Sequence, residues 1–250
     1  MTSTELPADS PAEESLLPVD AAAEQILAEV PAGPPPSPTL GEALAKQSIS
    51  LPDDQVAKLD QYVRLLWDWN EKINLTRHTD YDKFVTRDLV DTLELSKFLH
   101  PGEEILDVGT GGGVPGLVLA IIRPDLKVHL CDSVQKKAKV VSEIAEALKL
   151  EVDVFGDRAE NQLKDYRYDA LVSRAVGPMS KMLEWFKPHW ASIGRLLLVK
   201  GPKWVEERGE ARHKGLMANL ELRKAAEYLT PGTEWNSVII KLWHKGGVEK

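Results

Sequence analysis

Past residue 50 the apolar positions of the chain follow two alternating rhythms. Val56, Leu59, Val63, Leu66 and Trp67 recur every three to four residues behind Pro52, and Asp53 and Asp54 put negative charge where a helix dipole favours it. This spacing predicts an amphipathic helix. A second helix is predicted over about 80–99, opened by Thr79 with Asp82 three residues on, the spacing of a capping box. After Pro101-Gly102 short apolar runs take over. Strands are predicted at 105–108, 127–131, 152–155, 170–173 and 196–199, with a glycine loop over 109–116 and helices beginning at 117 and spanning 134–148 and 179–190. Strands alternating with helices at this spacing imply a parallel sheet built from right-handed crossovers. The end of the chain differs, because 220–228 and 237–243 flank Thr230-Pro231-Gly232 and predict an antiparallel pair that closes the sheet. No internal repeat is evident.

Composition separates the first stretch from this body. Residues 1–40 hold seven acids, no Lys or Arg, and eight of the sixteen prolines, ending in Pro34-Pro35-Pro36-Ser37-Pro38. Such a segment has too little apolar surface to offset its ordering entropy and reads as a disordered acidic tail. Residues 21–30 can form a helix there only transiently, since the proline block ends it. The sequence thus divides into a tail at 1–45, a helical cap at 46–100 and an α/β core at 101–250. The formal charge of the 250-residue chain is −8, but without its first 40 residues the remainder has 31 bases against 32 acids. A near-neutral body excludes a non-specific polycation and leaves room for a local basic face.

The single cysteine, Cys131, excludes a disulfide framework, a four-cysteine zinc ribbon and a CxxC redox pair, and points to a reducing compartment. The longest apolar run, 117–122, is far short of the roughly 20 residues that span a bilayer, and the first 40 residues lack the features of a signal or transit peptide. No transmembrane helix and a cytoplasmic location are therefore expected.

Most of the chemistry is concentrated in the segment from Asp107 to Gly116, Asp-Val-Gly-Thr-Gly-Gly-Gly-Val-Pro-Gly. A glycine-rich turn between a strand and its helix lets a ligand approach the backbone without meeting a Cβ. Two ligands suit it. In a dinucleotide site, Gly111, Gly113 and Gly116 satisfy G-x-G-x-x-G, and Asp132, 19 residues after Gly113, binds a ribose hydroxyl. In an S-adenosylmethionine site the unit is Asp107-x-Gly109-x-Gly111, and Asp132 again holds the ribose. The carboxylate of Asp107 favours the second, since it can organise the turn and complement a cationic methionine end, whereas it would repel a pyrophosphate. The antiparallel end of the sheet also suits a methyltransferase.

Asn74-Leu75-Thr76, Arg87 with Asp91-Thr92, the Asp107 to Gly116 segment, Cys131-Asp132-Ser133 with Lys136-Lys137, Arg158-Ala159-Glu160, Ser173-Arg174-Ala175 and Lys200-Gly201 occur in this order. The set resembles the ribosomal RNA small subunit methyltransferase G family, also called glucose-inhibited division protein B, over about 51–243. The resemblance implies a Rossmann-like class I S-adenosylmethionine-dependent methyltransferase that modifies N7 of one guanosine in 16S rRNA, acting on the RNA or on the assembling small ribosomal subunit. It assigns Gly109, Val114, Ala159 with Glu160, and Arg174 to the cofactor, beside Gly111, Gly113 and Asp132 from the loop itself. It also directs Arg87 to the RNA, and Lys200, at the end of the fifth strand on the rim where open sheets bind ligands, is a candidate to meet its phosphates. Two positions depart from the family pattern: Asp88 stands where a histidine is usual, and Thr92 replaces a serine while keeping the hydroxyl.

The expected chemistry needs no general base, because guanine N7 carries an unprotonated lone pair and the enzyme's task is to hold it in line with the sulfonium. No Asn-Pro-Pro-Tyr or Asp-Pro-Pro-Tyr follows the fourth strand, and Cys131 falls inside the second. Lys203 lies on the same rim as Lys200, while Arg64, Lys72, Arg77 and Lys83 are candidates for a basic edge on the cap. The six histidines show no ligand spacing, so no metal is expected. Trp67 and Trp185 fall on apolar helix faces and read as core. A monomer is expected, and the competing classes are an NAD(P)-dependent oxidoreductase using the same loop and a non-catalytic RNA-binding module.

Overall fold

The computed structural model describes residues 35–246. The acidic segment before residue 35, with the helix expected at 21–30, lies outside the described residues.

The cap is built from helices that each bury one stripe. Helix α1 (Leu40–Lys46) is capped by Thr39, whose hydroxyl oxygen accepts the Glu42 N–H, and buries Leu40, Ala43 and Leu44. The boundary drawn from composition at residue 45 therefore cuts through a packed helix. A seven-residue helix is too short to be stable on its own, and tertiary packing decides its fate. Just before it, the Ser37 N–H and hydroxyl both donate to Asp82 at 2.7 Å. Helix α2 (Asp53–Asn70) follows Pro52 and buries Leu59, Val63 and Leu66 of its predicted stripe together with Tyr62, while Val56 and Trp67 are half-buried.

The second predicted helix is irregular. It opens as α3 (Tyr81–Lys83), passes through a π-helical stretch (Phe84–Leu89) and continues as α4 (Val90–Ser96). Its cap is Asp80, which accepts the Lys83 N–H at 2.7 Å, rather than Thr79. The widened turn buries the polar side chain of Asp88 and the first turn of α4 those of Asp91 and Thr92, and such widened turns recur at functional sites.

The core is one seven-stranded sheet in the order β3-β2-β1-β4-β5-β7-β6. Strands β1 (Glu104–Val108), β2 (Lys127–Cys131), β3 (Asp153–Phe155), β4 (Tyr168–Arg174) and β5 (Ile193–Lys200) are parallel. Strand β7 (Asn236–His244) enters antiparallel beside β5, and β6 (Leu220–Leu229) pairs outside it, with a register shift between Lys224 and Ala226. This is the mostly parallel sheet with an antiparallel C-terminal pair that the pattern predicts. Alternation sends Ile105, Val128, Leu130, Val172 and Leu197 to one face, where α1 to α4, α5 (Gly116–Ile122) and α6 (Gln135–Ala147) pack. Leu106, Val108, Leu171, Leu196 and Leu198 face the other side, against α7 (Ala159–Asp165) and α8 (Met179–Phe186). The helix predicted at 179–190 is α8 followed by a 3-10 turn, Lys187–Ser192, because Pro188 cannot continue an α-helical ladder. Helices α7 and α9 (Trp204–His213) escape the periodicity; α9 buries only Ala211 of its ten residues.

At the amino edge of the sheet a charge pair sits in the core. Arg195, 2% exposed, donates two bonds to Glu103 at 2.8 and 2.6 Å and one to the Phe98 carbonyl at 2.7 Å. Removing one partner leaves the other charge uncompensated, which costs about 3–5 kcal/mol, whereas apolar replacement of both is far milder. Urea unfolding of Glu103→Ala is expected to show a loss of about that size, and the Glu103→Leu/Arg195→Met double variant should recover the larger part. A double variant no more stable than Glu103→Ala would contradict this.

Candidate functional site

The parallel strand order reverses between β1 and β4, and open sheets of this kind bind ligands in the crevice beyond the carboxyl ends of the strands at such a point. The glycine segment lies there. Gly109 has φ +69°, a region that L side chains rarely adopt, and a Cβ on it would stand 2.5 Å from Val176 Cγ2. Gly116 starts α5 so close to the sheet that a Cβ would meet Asp107 Oδ2 at 2.7 Å and the Leu130 side chain. Both glycines are required by close approach.

With few side chains of its own to bury, Thr110 and Val114 among them, the loop is held chiefly by hydrogen-bonding groups beneath and beside it. The Cys131 carbonyl accepts the N–H groups of Gly109 and Thr110 at 2.9 and 3.0 Å. Asp132 divides its carboxylate, one oxygen accepting the Gly111 N–H at 3.0 Å and the other the Val134 N–H at 2.8 Å. From the cap, the Tyr62 hydroxyl donates to the Gly112 carbonyl at 2.9 Å. Asp107 Oδ2 accepts the Gly116 N–H at 2.8 Å, so this carboxylate organises the turn as expected. Its second expected task is not visible as a contact, because the side chain is fully buried under the loop. Burial pushes its pKa up to about 7, against the opposing pull of the Thr110 hydroxyl, the Gly116 N–H and the Arg174 charge.

The crevice has two compartments. The larger, about 410 Å³, is lined by Gly109, Thr110, Gly111, Gly112, Val114, Asp132 and Arg174 among others; the smaller, about 290 Å³, by Arg158, Ala159, Glu160 and Lys181. Gly109, Ser133, Val176 and Trp185 border both. Two hollows of about 800 and 790 Å³ lie along the amino ends of the strands, away from the loop, and are open troughs between strand ends.

Of the expected cofactor residues, Gly109, Gly111, Val114, Asp132 and Arg174 meet in the larger compartment, and Ala159 and Glu160 in the smaller. Gly113 does not line either; its N–H donates to the Thr110 carbonyl at 2.8 Å, and a Cβ would collide with Leu117. Lys200 is buried, donating to the Gly177 carbonyl and pairing with Glu207 at 2.8 Å, so its ammonium is spent on the loop after β4. Arg87 is half-buried and contributes its carbonyl, 3.5 Å from Arg174, rather than a side chain lining the cleft. Trp185, which its helical spacing places in the core, borders the cleft with the Lys181 ammonium 5.6 Å from its ring centre. Periodicity reports a face, not the end of the sheet that the face covers. Cys131 is buried, and burial pushes its thiol up to about 12, so it is an inert core residue.

A family model for rRNA small subunit methyltransferase G matches residues 55–231. The chain belongs to this family. Ribosomal RNA small subunit methyltransferase G of Rhodopirellula baltica is 52% identical over 186 residues, covering 74% of this chain and 80% of that one. The protein of the same name from Thermotoga petrophila is 35% identical over 210 residues, covering 83% and 91%. Among solved structures, precorrin-6y C5,15-methyltransferase from Geobacter metallireducens has 14% identity and a TM-score of 0.49, over 70% of this chain and 96% of that one. As an rRNA small subunit methyltransferase G family member the chain is a methyltransferase with a class I, Rossmann-like fold. The oxidoreductase and binding-module readings fall away.

In this family member Asp107 gives the stability a defined pH dependence. Its folded pKa, about 7, lies above the value of about 3.9 for an exposed aspartate, so the folded state holds the extra proton between those limits. Its contribution is fully present below the lower value and is lost as pH rises toward the upper one. In Asp107→Asn the amide oxygen can still accept the Gly116 N–H while the ionisation is gone. The stability of this variant relative to wild type is therefore expected to improve between pH 5 and pH 8, on the order of one or two kcal/mol. Parallel denaturation curves across that range would refute the assignment.

Proposed function

We propose that this enzyme transfers a methyl group from S-adenosylmethionine to N7 of one guanosine in 16S rRNA, within the cytoplasm and as a monomer, on the RNA or on the assembling small subunit. The observation that carries the cofactor reading is the glycine cradle over Asp107, in which Gly109, with no room for a Cβ beside Val176, borders both compartments. Together the compartments are of ordinary size for a small-molecule site. Asp132 is 7% exposed and has one N–H on each oxygen, which leaves lone pairs for ribose hydroxyls. Arg174 and the loop would hold the methionine end, and Glu160 and Ala159 the adenine end. When bound, the cofactor supplies a methyl group on a cationic sulfur.

The protein's part in that chemistry is positioning. Each carboxylate of the larger compartment is already engaged: Asp132 by backbone N–H groups, and Asp88 by Arg174 at 2.6 Å and His78 at 2.8 Å. Neither is a free general base, which suits an acceptor such as guanine N7 that has no proton to lose. Among the described residues no helix is long and apolar enough to cross a membrane.

Incubation with radiolabelled S-adenosylmethionine and small subunits lacking their own modifications should place label on N7 of one 16S guanosine, and Gly109→Arg should abolish it. Label on an exocyclic amine or a ribose, with the cofactor bound, would overturn the N7 reading. The first 34 residues carry none of the motif residues and precede the family match at residue 55. Their deletion is expected to leave the transfer rate within about twofold, within the scatter of substitutions remote from a site; its loss would assign them a role in the reaction.

A further inference from the structure

Arg174 reaches the cleft from β4, but its guanidinium is held from the cap. Nη2 donates to Asp88 Oδ1 at 2.6 Å, and Nη1 lies 3.4 Å from Asp91 Oδ2 and 3.5 Å from the Arg87 carbonyl. Both carboxylates are themselves fixed. The Tyr228 hydroxyl, from β6, donates to Asp91 Oδ1 at 2.6 Å. The His78 Nδ1 lies 2.8 Å from the same Asp88 oxygen that takes Arg174, and against a carboxylate this nitrogen is the donor. His78 in turn is pinned, its N–H donating to the Thr76 hydroxyl at 3.0 Å and its carbonyl accepting the Trp67 indole at 2.8 Å.

The two carboxylates are not equivalent. Asp88 is 1% exposed and makes the short bond, whereas the Asp91 contact is long and its carboxylate is already engaged by Tyr228. A short charge-assisted bond fixes direction as well as charge. The orientation of the guanidinium therefore follows Asp88.

We propose that Asp88, itself oriented by His78, is the positioning residue that fixes the Arg174 guanidinium in the cleft for binding the cofactor. Three side chains form the connection, from half-exposed His78 on the cap through buried Asp88 to Arg174 at the end of β4. Removing Asp88 frees the guanidinium to swing toward Asp91, away from the direction that Asp88 imposes. The inference rests on the cofactor reading of the cleft given above.

The test is calorimetric titration of S-adenosylhomocysteine into the full chain, with melting temperature and the KM and kcat for S-adenosylmethionine measured alongside. Wild type must bind; if it does not, the reading of the cleft fails rather than this inference. Asp88→Ala is expected to weaken binding about tenfold, the size of one lost hydrogen bond to a charged group, and to raise KM more than it lowers kcat. Asp88→Asn keeps an acceptor for Arg174 and should restore affinity to within about threefold of wild type. An ion pair that only stabilises the fold would lower the melting temperature and leave affinity unchanged. That outcome in Asp88→Ala overturns the proposal, as does equal damage in Asp88→Asn. Should Asp88→Ala not fold, His78→Ala decides: a weakening of about threefold is expected, and wild-type affinity overturns it.

Discussion

A loop of glycines cannot hold itself in place, and the architecture around the cleft answers to that constraint. Of Gly109 to Gly113 only Thr110 has a side chain to bury, so their path is set mainly by hydrogen bonds from neighbours that are rigid for other reasons. The Cys131 carbonyl and the Asp132 carboxylate stand at the end of β2, Asp107 at the end of β1, and Tyr62 on a cap helix. Each anchor is buried. The loop thus inherits the precision of the sheet register, in which Asp107 pairs with Leu130 and Val108 with Cys131. A site built on such supports can keep an open crevice without collapsing into it.

The same logic explains why the cap is part of the site rather than a cover. Tyr62 reaches the loop, and Asp88 and Asp91 reach Arg174, so the two helical segments grip the core at separate points of one crevice. Buried charges are costly unless paired, and here each carboxylate finds a donor from another element. At the opposite edge of the sheet, the Arg195 and Glu103 pair ties the β5 start to the residue before β1 in the same manner. Charge in this protein joins elements that hydrophobic packing alone would leave free to slide.

The sequence was legible where local chemistry and global fold agree. The strand at Lys127–Cys131 is found at its predicted bounds, since a five-residue β run between turn signals has few alternatives. The loop residues were readable for the same reason: only glycine suits Gly109 at φ +69° against Val176. Helix α9 was not readable, because a helix that buries Ala211 alone has no apolar period. Nor was α1, whose seven residues are stabilised by the rest of the cap. Lys200 shows a different limit. Its place at the end of β5 suggested a ligand, but Glu207, on a helix that the pattern did not reveal, takes its ammonium. Arg174 shows the converse, since its place in the cleft could be read from its motif while Asp88, the carboxylate at 2.6 Å from it, comes from a π-helical turn with no sequence signature.

The net charge of −8 is a poor guide to what the cleft presents, because charges cancel locally before they are felt at a distance. Asp88, Asp91 and Asp132 are each bonded to a buried or backbone donor, so their fields are answered within the wall. Asp107 has no exposed surface, and burial pushes it toward the neutral form. Lys181 and Arg158, by contrast, border the smaller compartment and are exposed, and Lys137 borders the larger. Arg158 approaches Glu160 only to 3.9 Å, a surface contact of little energy. Asp157 and Glu160 border the smaller compartment as well, so the four acids and four bases that line the crevice balance, and the seven acids among the first 40 residues lie outside the matched family region. The crevice is thus near neutral where the chain as a whole is acidic, which removes there the repulsion that a charge of −8 would otherwise present to an anionic ligand.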